Sequence, residues 1–282
     1  MKLSFRRKAV NAVMLTLTGA CTFLVASVLL VILGYLAWNG LASLNLDFFT
    51  KLPVPAGETG GGMAHAILGS AKVLLAAMLI GVPIGFFAGV YLAEFGDGVF
   101  PGIIRYTTDL LNGVPSIVIG IFAYALIVLP MRHPSTLAGG IALGVMMIPI
   151  SLRTTEEFLR AVPVSLREGA MALGAGKART IFTVVIPAAK SGILSGLMLN
   201  LARVAGETAP LLFTAFGNQF WSPGWMLATA TLPQVIYAYA ISPYEDWRRQ
   251  AWAAGFVLLV LVLSVNAVAR FAIGRTTSRG RS

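Results

Sequence analysis

Long apolar stretches dominate the chain, and short polar segments separate them. Six stretches approach or exceed the roughly 20 mostly apolar residues that a transmembrane helix needs. They cover approximately residues 13–38, 67–95, 114–130, 137–152, 188–209 and 251–273. Pro83 and Pro149 interrupt two of them, which membrane helices tolerate when neighbouring groups satisfy the freed backbone. The pattern predicts an all-α, polytopic membrane protein with six transmembrane helices.

Composition supports a membrane location, and the positions of the charges predict an orientation. Hydrophobic residues make up 57% of the chain and charged residues 11%, against roughly 45–50% and 25% in soluble proteins. The net charge of +10 comes from short basic runs between apolar stretches rather than from a nucleic-acid-binding stripe. If the N-terminus is cytoplasmic, fifteen of the 21 lysines and arginines lie inside and four outside. This excess predicts that both termini are cytoplasmic.

The resulting segment order is simple. Residues 1–12 form a predicted cytoplasmic tail, 13–38 a retained first transmembrane helix, and 39–65 an external loop. A transmembrane domain covers 66–273, with a cytoplasmic loop at about 153–190 and an external loop at about 214–250. Residues 274–282 form a second cytoplasmic tail. The single cysteine, Cys21, cannot form an internal disulfide, and His65 and His133 stand alone, so no metal site is predicted.

The loop at 153–190 is unusually long for a compact bundle, and loops of that length usually have a function. Its apolar residues recur at helical spacing, which predicts two short helices broken near Pro163. Ser165 is the predicted N-cap of the second helix, with Glu168 at the third helical position. On this evidence alone, a helical linker lying on the membrane surface is an alternative interpretation.

A motif in this loop provides a family resemblance. Glu168-Gly169-Ala170 is followed after three residues by Gly174, and after nine more by the run Val184–Pro187. The spacing resembles the EAA loop of ABC importer permeases, with three exchanges among small or aliphatic residues at positions 169, 184 and 186. The resemblance implies a short coupling helix that docks into a groove of a cytoplasmic ATPase. The residues it implicates in coupling are Glu168, Gly169, Ala170, Gly174 and Pro187.

Wider runs narrow the resemblance. Residues 112–120, 153–157 and 202–215 are similar to the A-type permease of the bacterial phosphate-specific transport system, and the similarity covers roughly 60–270. It implies a non-catalytic subunit of a phosphate importer in the bacterial inner membrane, surrounded by lipid. The implied partners are a second, different permease, two ATPase subunits and an external phosphate-binding protein. ATP and Mg²⁺ would bind to the ATPase, and this chain would bind no cofactor.

The glycines near Lys177 do not form a nucleotide site. A phosphate-binding P-loop needs a glycine five residues before its Gly-Lys pair and a serine or threonine after it. Met171 and Ala178 occupy those positions here.

The fifth apolar stretch carries two charges, Arg203 and Glu207. Four residues apart, they would lie within about 40° of each other on one helix. An arginine inside a membrane span is costly, and it is a functional-site hypothesis by default. Either Arg203 contacts phosphate through paired hydrogen bonds, or it forms an ion pair with Glu207 that holds a gate or the bundle together. The predicted pathway or gate residues are Arg203, Glu207, Thr208, Ser116 and Asn200.

Other features of the chain support further expectations. Gly192 and Gly196 are spaced for a close helix–helix contact. Lys72, near the outer end of its span, is expected to extend its ammonium group to the interface. The aromatic residues between 218 and 249 predict an interfacial helix or a docking surface for the external binding protein.

Rival functions remain open on this evidence. One is a permease for another oxyanion, such as phosphonate, sulfate or molybdate. Another is a membrane scaffold that signals phosphate status without transporting much itself. A secondary transporter is disfavoured because it has no use for a coupling loop.

Overall fold

The computed structural model describes the backbone of residues 2–278 and the side-chain surroundings of residues 5–267. Across residues 2–278 the regular structure is helical, apart from one isolated β-bridge between Phe216 and Thr229. The predicted all-α fold is therefore confirmed. Arg279 and Arg281 of the predicted C-terminal tail lie outside the described residues.

The described residues form thirteen α-helices and two π-helical turns. The first seven helices are α1 (Lys2–Ala42), α2 (Leu46–Thr50), α3 (Ala64–Phe95), α4 (Val99–Gly113), α5 (Ser116–Ala123), α6 (Leu129–Met131) and α7 (Thr136–Arg160). The remaining helices are α8 (Val164–Ala172), α9 (Lys177–Thr180), α10 (Ile186–Ala205), α11 (Ala209–Thr214), α12 (Leu232–Ala240) and α13 (Glu245–Ser278). The π-helical turns, Tyr124–Val128 and Ile181–Val185, join α5 to α6 and α9 to α10.

Five single helices among the described residues are long and apolar enough to cross a membrane. A sixth crossing results if the bent pair Val99–Gly113 and Ser116–Met131 is one span, with a bend of 102°. The predicted third span, 114–130, coincides with Ser116–Met131, and α4, which was predicted to lie outside a span, joins it through the bend. Pro115 lies at the bend, where the residue before a proline is pushed out of the helical region.

Several helices are longer than the spans predicted from the sequence. Helix α7 continues past Leu152 to Arg160, and the next membrane-spanning segment begins at Lys177. The connection between these two spans, which contains α8, is therefore much shorter than the predicted loop at 153–190. The reason is electrostatic: Glu156, almost fully buried, pairs with Arg105 and Arg160, so the helix continues through a charged stretch. Helices α1 and α13 likewise extend beyond the predicted spans.

Helices α3 and α7 run parallel and form the centre of the bundle. Glycines on α3 face α7: a Cβ at Gly81, Gly85 or Gly89 would meet Met147, Ser151 or Thr155, respectively. Small residues allow two helix backbones to approach closely, which compensates for the weak hydrophobic driving force between helices in lipid. The pair therefore behaves as a densely packed unit.

Helix α10 packs on α7 through the predicted glycine pair. The position of a Cβ on Gly192 is occupied by Phe158, and that of a Cβ on Gly196 by Thr154. The close helix–helix contact predicted from the spacing of the two glycines is confirmed.

The bundle has two distinct ends. The α8 end contains α8, α4 and the C-terminal ends of α3 and α7. The α12 end contains α2, α12 and the N-terminal ends of α3 and α7, with a buried cluster that includes Phe48, Met63 and Leu232. Helix α1 packs against α13, where Tyr35 and Trp252 meet edge to face at 5.2 Å.

Candidate functional site

The motif-bearing helix α8 is short and begins directly after a proline. Pro163 occupies the N-cap position without a side-chain cap. The predicted N-cap, Ser165, is therefore wrong: it lies inside the first turn, and Glu168 lies beyond the third helical position. The fixed φ of the proline ring starts the helix at the next residue, so no capping box forms.

Gly174 ends α8 through its backbone conformation. Its φ is +86°, in the left-handed region that side chains with a Cβ avoid. The amide of Gly174 donates to the carbonyl of Met171 at 2.9 Å, and the amide of Ala175 donates to that of Ala170 at 3.1 Å. This pair of bonds is a Schellman motif, so the prediction that Gly174 terminates this helix agrees with the geometry.

The outward surface of α8 is open. Glu168 and Gly169 are exposed, Ala170 is half-buried, and Leu173 is 91% exposed. Further exposed apolar side chains surround them: Val164, Leu166, Met171 and Phe182. Pro187, at the start of α10, is also exposed. Contiguous exposed apolar groups with a polar surround are typical of protein–protein contact surfaces. We call the exposed side chains of Val164–Leu173 the α8 surface.

Arg203 lies in the last turn of α10, about midway between the ends of the bundle. Its side chain is exposed, whereas its neighbour Val204 is buried among residues such as Leu143 and Met147, near the middle of α7. An arginine at this depth that its own chain does not cover faces either lipid or another protein surface. Since lipid is a poor environment for it, Arg203 marks a face that requires a partner or water.

The predicted pairing of Arg203 with Glu207 on one helix is wrong for this conformation. Helix α10 ends at Ala205, with Gly206 at its C-cap, so Glu207 lies beyond the helix. Neither residue belongs to an ion pair among the described side chains. Pro210 follows at the start of α11, where the chain begins a separate helix.

The other predicted pathway residues have different surroundings. Asn200 is 2% exposed, and its Nδ2 donates to the Met147 carbonyl at 3.1 Å and to Ser151 Oγ at 3.0 Å. It therefore lies in the α7–α10 contact rather than on the open face that carries Arg203. Ser116 and Thr208 are both half-buried and begin segments that meet where Gly120 contacts Pro210.

A cluster of ion pairs at the α8 end was not among the predicted site residues. Arg105 Nε lies 2.7 Å from Glu156 Oε1, and Arg160 Nη2 lies 3.1 Å from the same oxygen. Arg153 pairs with Asp109 on α4 at 2.6 Å. Part of this cluster could have been found from the sequence, because charges spaced three and four residues apart lie on one helical face, as Arg153, Glu156 and Arg160 do.

At the α12 end, Lys72 does not simply extend to the interface. Its ammonium group donates to the carbonyls of Ser222 at 2.5 Å and Pro223 at 3.3 Å, and so holds the segment that precedes α12. A cavity of about 340 Å³ lies beside this segment, lined by groups that include His65 and Gln234.

The aromatic residues predicted to form an outer surface divide into two groups at this end. Trp221, Trp225 and Tyr237 are exposed, whereas Tyr239 is buried and stacked on Trp247 at 4.3 Å.

Comparison with known proteins gives the family. A protein-family model described as "Binding-protein-dependent transport system inner membrane component" matches residues 81–278. The chain is 43% identical over 265 residues to the phosphate transport system permease protein PstA of Yersinia pestis, covering 94% of this chain and 90% of that protein. PstA of Haemophilus influenzae is 44% identical, with 94% of both chains covered. This chain belongs to the PstA family of permeases.

Solved structures agree with the fold of the PstA-family permease. A chain of an amino acid ABC transporter matches with a TM-score of 0.58 at 18% identity, covering 76% of this chain and 93% of that one. A chain from inward-facing MetNI methionine ABC transporter matches with a TM-score of 0.54 at 20% identity, covering 77% and 96%. At these identities the likeness shows the fold alone. Residues 81–278 of the PstA-family permease include α8 and Arg203.

Proposed function

We propose that this chain is the membrane permease subunit of an ATP-driven importer of inorganic phosphate. The open α8 surface is the observation that carries the proposal, together with membership of the PstA family. A helix that exposes Leu173 and Glu168 at one end of a membrane bundle is suited to docking on a soluble partner. ATP and Mg²⁺ bind to that partner, and this chain contributes motion rather than catalysis.

The orientation follows from the distribution of basic residues. With both termini in the cytoplasm, the α8 end faces the cytoplasm and the α12 end faces outward, where it meets an external phosphate-binding protein. The protein crosses the bacterial inner membrane several times, and lipid covers its outer faces. The ATPase then reaches α8 from the cytoplasm, and phosphate arrives from the opposite end.

A second, different permease completes the pathway. The exposed Arg203 lies at mid-depth on a face that needs a polar neighbour, and that permease supplies the other half of the channel. In this arrangement the guanidinium group offers paired hydrogen bonds to a phosphate oxyanion. Glu207, Thr208 and Ser116 lie in nearby segments and accompany it as gate or pathway residues. Asn200 supports this face from the α7–α10 contact.

Uptake of labelled phosphate in a strain that lacks this gene tests the proposal. The intact chain is expected to restore uptake, and unlabelled phosphate is expected to compete better than sulfate, molybdate or phosphonate. Failure of phosphate uptake, with uptake of another oxyanion, would assign that substrate instead. A phosphate-signalling scaffold would restore signalling without restoring uptake.

Two substitutions test the individual surfaces at equal membrane abundance. Arg203→Ala is expected to abolish uptake while the ATPase stays bound. Leu173→Glu is expected to remove the ATPase from the purified complex, because a charge enters an apolar contact. Leu46→Glu is the matched control, since Leu46 is 84% exposed at the opposite end and its substitution should leave ATPase binding unchanged.

A further inference from the structure

The C-terminal end of α3 accepts contacts from four separate segments. We call residues Leu92–Gly96 the α3 hub. Four cationic side chains reach it, one from each of α4, α7, α8 and α9: Arg105, Arg160, Arg167 and Lys177. The final carbonyls of a helix lack intrahelical partners and carry the negative end of the helix dipole. Cations are therefore favoured at this position. Because these cations come from four separate segments, the hub connects α4, α7, α8 and α9 to the end of α3.

The contacts of the hub are specific. Arg105 Nη2 donates to the carbonyls of Leu92 at 3.1 Å and Gly96 at 3.2 Å. Arg160 donates to the carbonyl of Leu92 at 3.3 Å. Lys177 donates to the carbonyl of Glu94 at 2.9 Å, and its ammonium lies 4.0 Å from the centre of the Phe95 ring.

Arg167 attaches α8 to two helices at once. Its Nη2 lies 3.0 Å from Glu94 Oε1, with the carboxylate side chain 6% exposed and the guanidinium side chain 16% exposed. The same guanidinium group donates to the Leu159 carbonyl at 2.7 Å and to the Val162 carbonyl at 2.5 Å. Through this one group, α8 is joined to the ends of both α3 and α7, while its other surface stays open.

A second connection continues from the hub into the membrane. Arg105 on α4 contacts the hub and also Glu156 on α7. Helix α4 leads through the bend at Pro115 into α5, which begins at Ser116 and contacts α11 at Gly120. A continuous series of contacts therefore joins the hub to the segment next to the predicted pathway.

From this geometry we propose that Glu94 and Arg167 are positioning residues for energy coupling. Their ion pair transmits displacement of α8 to the packed α3–α7 unit, and Arg105 carries it on to α4 and α5. The inference rests on the proposed function, because α8 must be the helix on which the ATPase docks. It differs from ordinary helix capping in one measurable respect: loss of the pair should separate ATP hydrolysis from transport.

The experiment uses the whole importer, with both permeases, the ATPase and the external binding protein, in proteoliposomes. Phosphate import and ATP hydrolysis are measured in the same vesicles for Glu94→Gln, which keeps the shape and removes the charge. Breaking a buried ion pair leaves its partner uncompensated, so we expect import to fall about ten-fold or more while hydrolysis stays within about two-fold. Glu157→Gln is the matched control, because Glu157 is an exposed carboxylate on α7 that belongs to no ion pair among the described side chains, so the same exchange should not alter either rate.

Substitutions of Arg167 distinguish a pair that transmits movement of α8 from a pair that only holds α8 in place. Arg167→Met is expected to raise the ATP used per phosphate as Glu94→Gln does, and Arg167→Lys to restore that ratio at least in part. The double variant of Glu94→Gln with Arg167→Met should be no worse than the poorer single variant, because residues of one pair are not additive. Additive losses would overturn the assignment of a single pair.

Three further outcomes decide the matter. A parallel fall of import and hydrolysis, explained by less assembled complex, would mean that the pair only fastens α8 and would overturn the proposal. If Glu94→Gln prevents assembly, Arg167→Met decides, since a ratio of ATP used per phosphate equal to that of the intact protein would also overturn the proposal. Leu173→Glu separates the two levels: if it leaves ATPase binding intact, the docking role of α8 is wrong, whatever Glu94 does.

Discussion

Replacing Gly85 with alanine tests how closely α3 and α7 must approach. A Cβ at this position would lie 2.5 Å from the Cβ of Ser151, 2.7 Å from the carbonyl oxygen of Ile148 and 3.0 Å from the amide nitrogen of Leu152. Two of these three atoms belong to the backbone of α7. A side chain can rotate away from a new methyl group, whereas this helix has to move as a whole.

The expected magnitude combines two opposing effects. Overpacking a close contact costs about 1–3 kcal/mol, and alanine in a helix interior is about 1 kcal/mol more favourable than glycine. Gly102 in α4 separates the packing cost from the helix propensity, because a Cβ added to Gly102 would have no neighbouring atom within 4 Å. Gly102→Ala should therefore stabilise the protein slightly, and the difference between the two variants isolates a packing cost of about 1–3 kcal/mol.

Thermal unfolding of the purified complex, followed by loss of its size-exclusion peak, measures the difference. In chains of about 150–250 residues, 1 kcal/mol corresponds to roughly 2–4 °C in Tm. Gly85→Ala should therefore unfold several degrees below Gly102→Ala. Equal melting temperatures for the two variants would refute the idea that backbone contact at Gly85 holds the two helices together.

Three further predictions concern charge, backbone and pH. Glu156→Gln should lower the Tm of the complex, toward the lower end of the about 3–5 kcal/mol that breaking a buried ion pair costs, since its arginine partners are partly exposed. An unchanged Tm would contradict this. Gly174→Ala imposes about 1–2 kcal/mol of left-handed strain and should weaken ATPase retention in a pull-down, whereas Gly102→Ala, in open space outside the α8 surface, should not. Burial raises the pKa of Tyr239 to about 12, so the contribution of Tyr239 to stability should be constant below pH 10 and fall between pH 10 and 12. Tyr239→Phe should abolish that fall in pH-dependent melting.

The apolar stretches predicted most of the membrane helices because length and composition alone govern which segments enter lipid. Their ends were less predictable, since the charged stretch around Glu156 reads as a loop until its arginine partners are known. Arg105 is 51 positions away along the chain. Periodicity contains no record of such a pairing, and so it could not show that α7 continues to Arg160.

The candidate site divides in the same way. The spacing of Glu168 and Gly174 depends on one short helix and its cap, so a local motif could describe it. The position of Glu207 relative to Arg203 depends on where α10 ends. The predicted pairing requires the helix to continue past Gly206, whereas α10 ends at Ala205. The pair of Arg167 with Glu94 joins residues 73 positions apart and becomes visible only when α3 and α8 are placed together.

The contact between α1 and α13 has a consequence for how the protein is made. Among the described residues, α1 precedes α13 by about 200 positions, so α1 leaves the ribosome long before the helix on which it packs has been made. The apolar surface of α1 is compatible with direct contact with lipid during that interval. Docking of Trp252 against Tyr35 therefore has to follow the synthesis of every helix between them, and a chain truncated before α13 should leave this surface of α1 in contact with lipid.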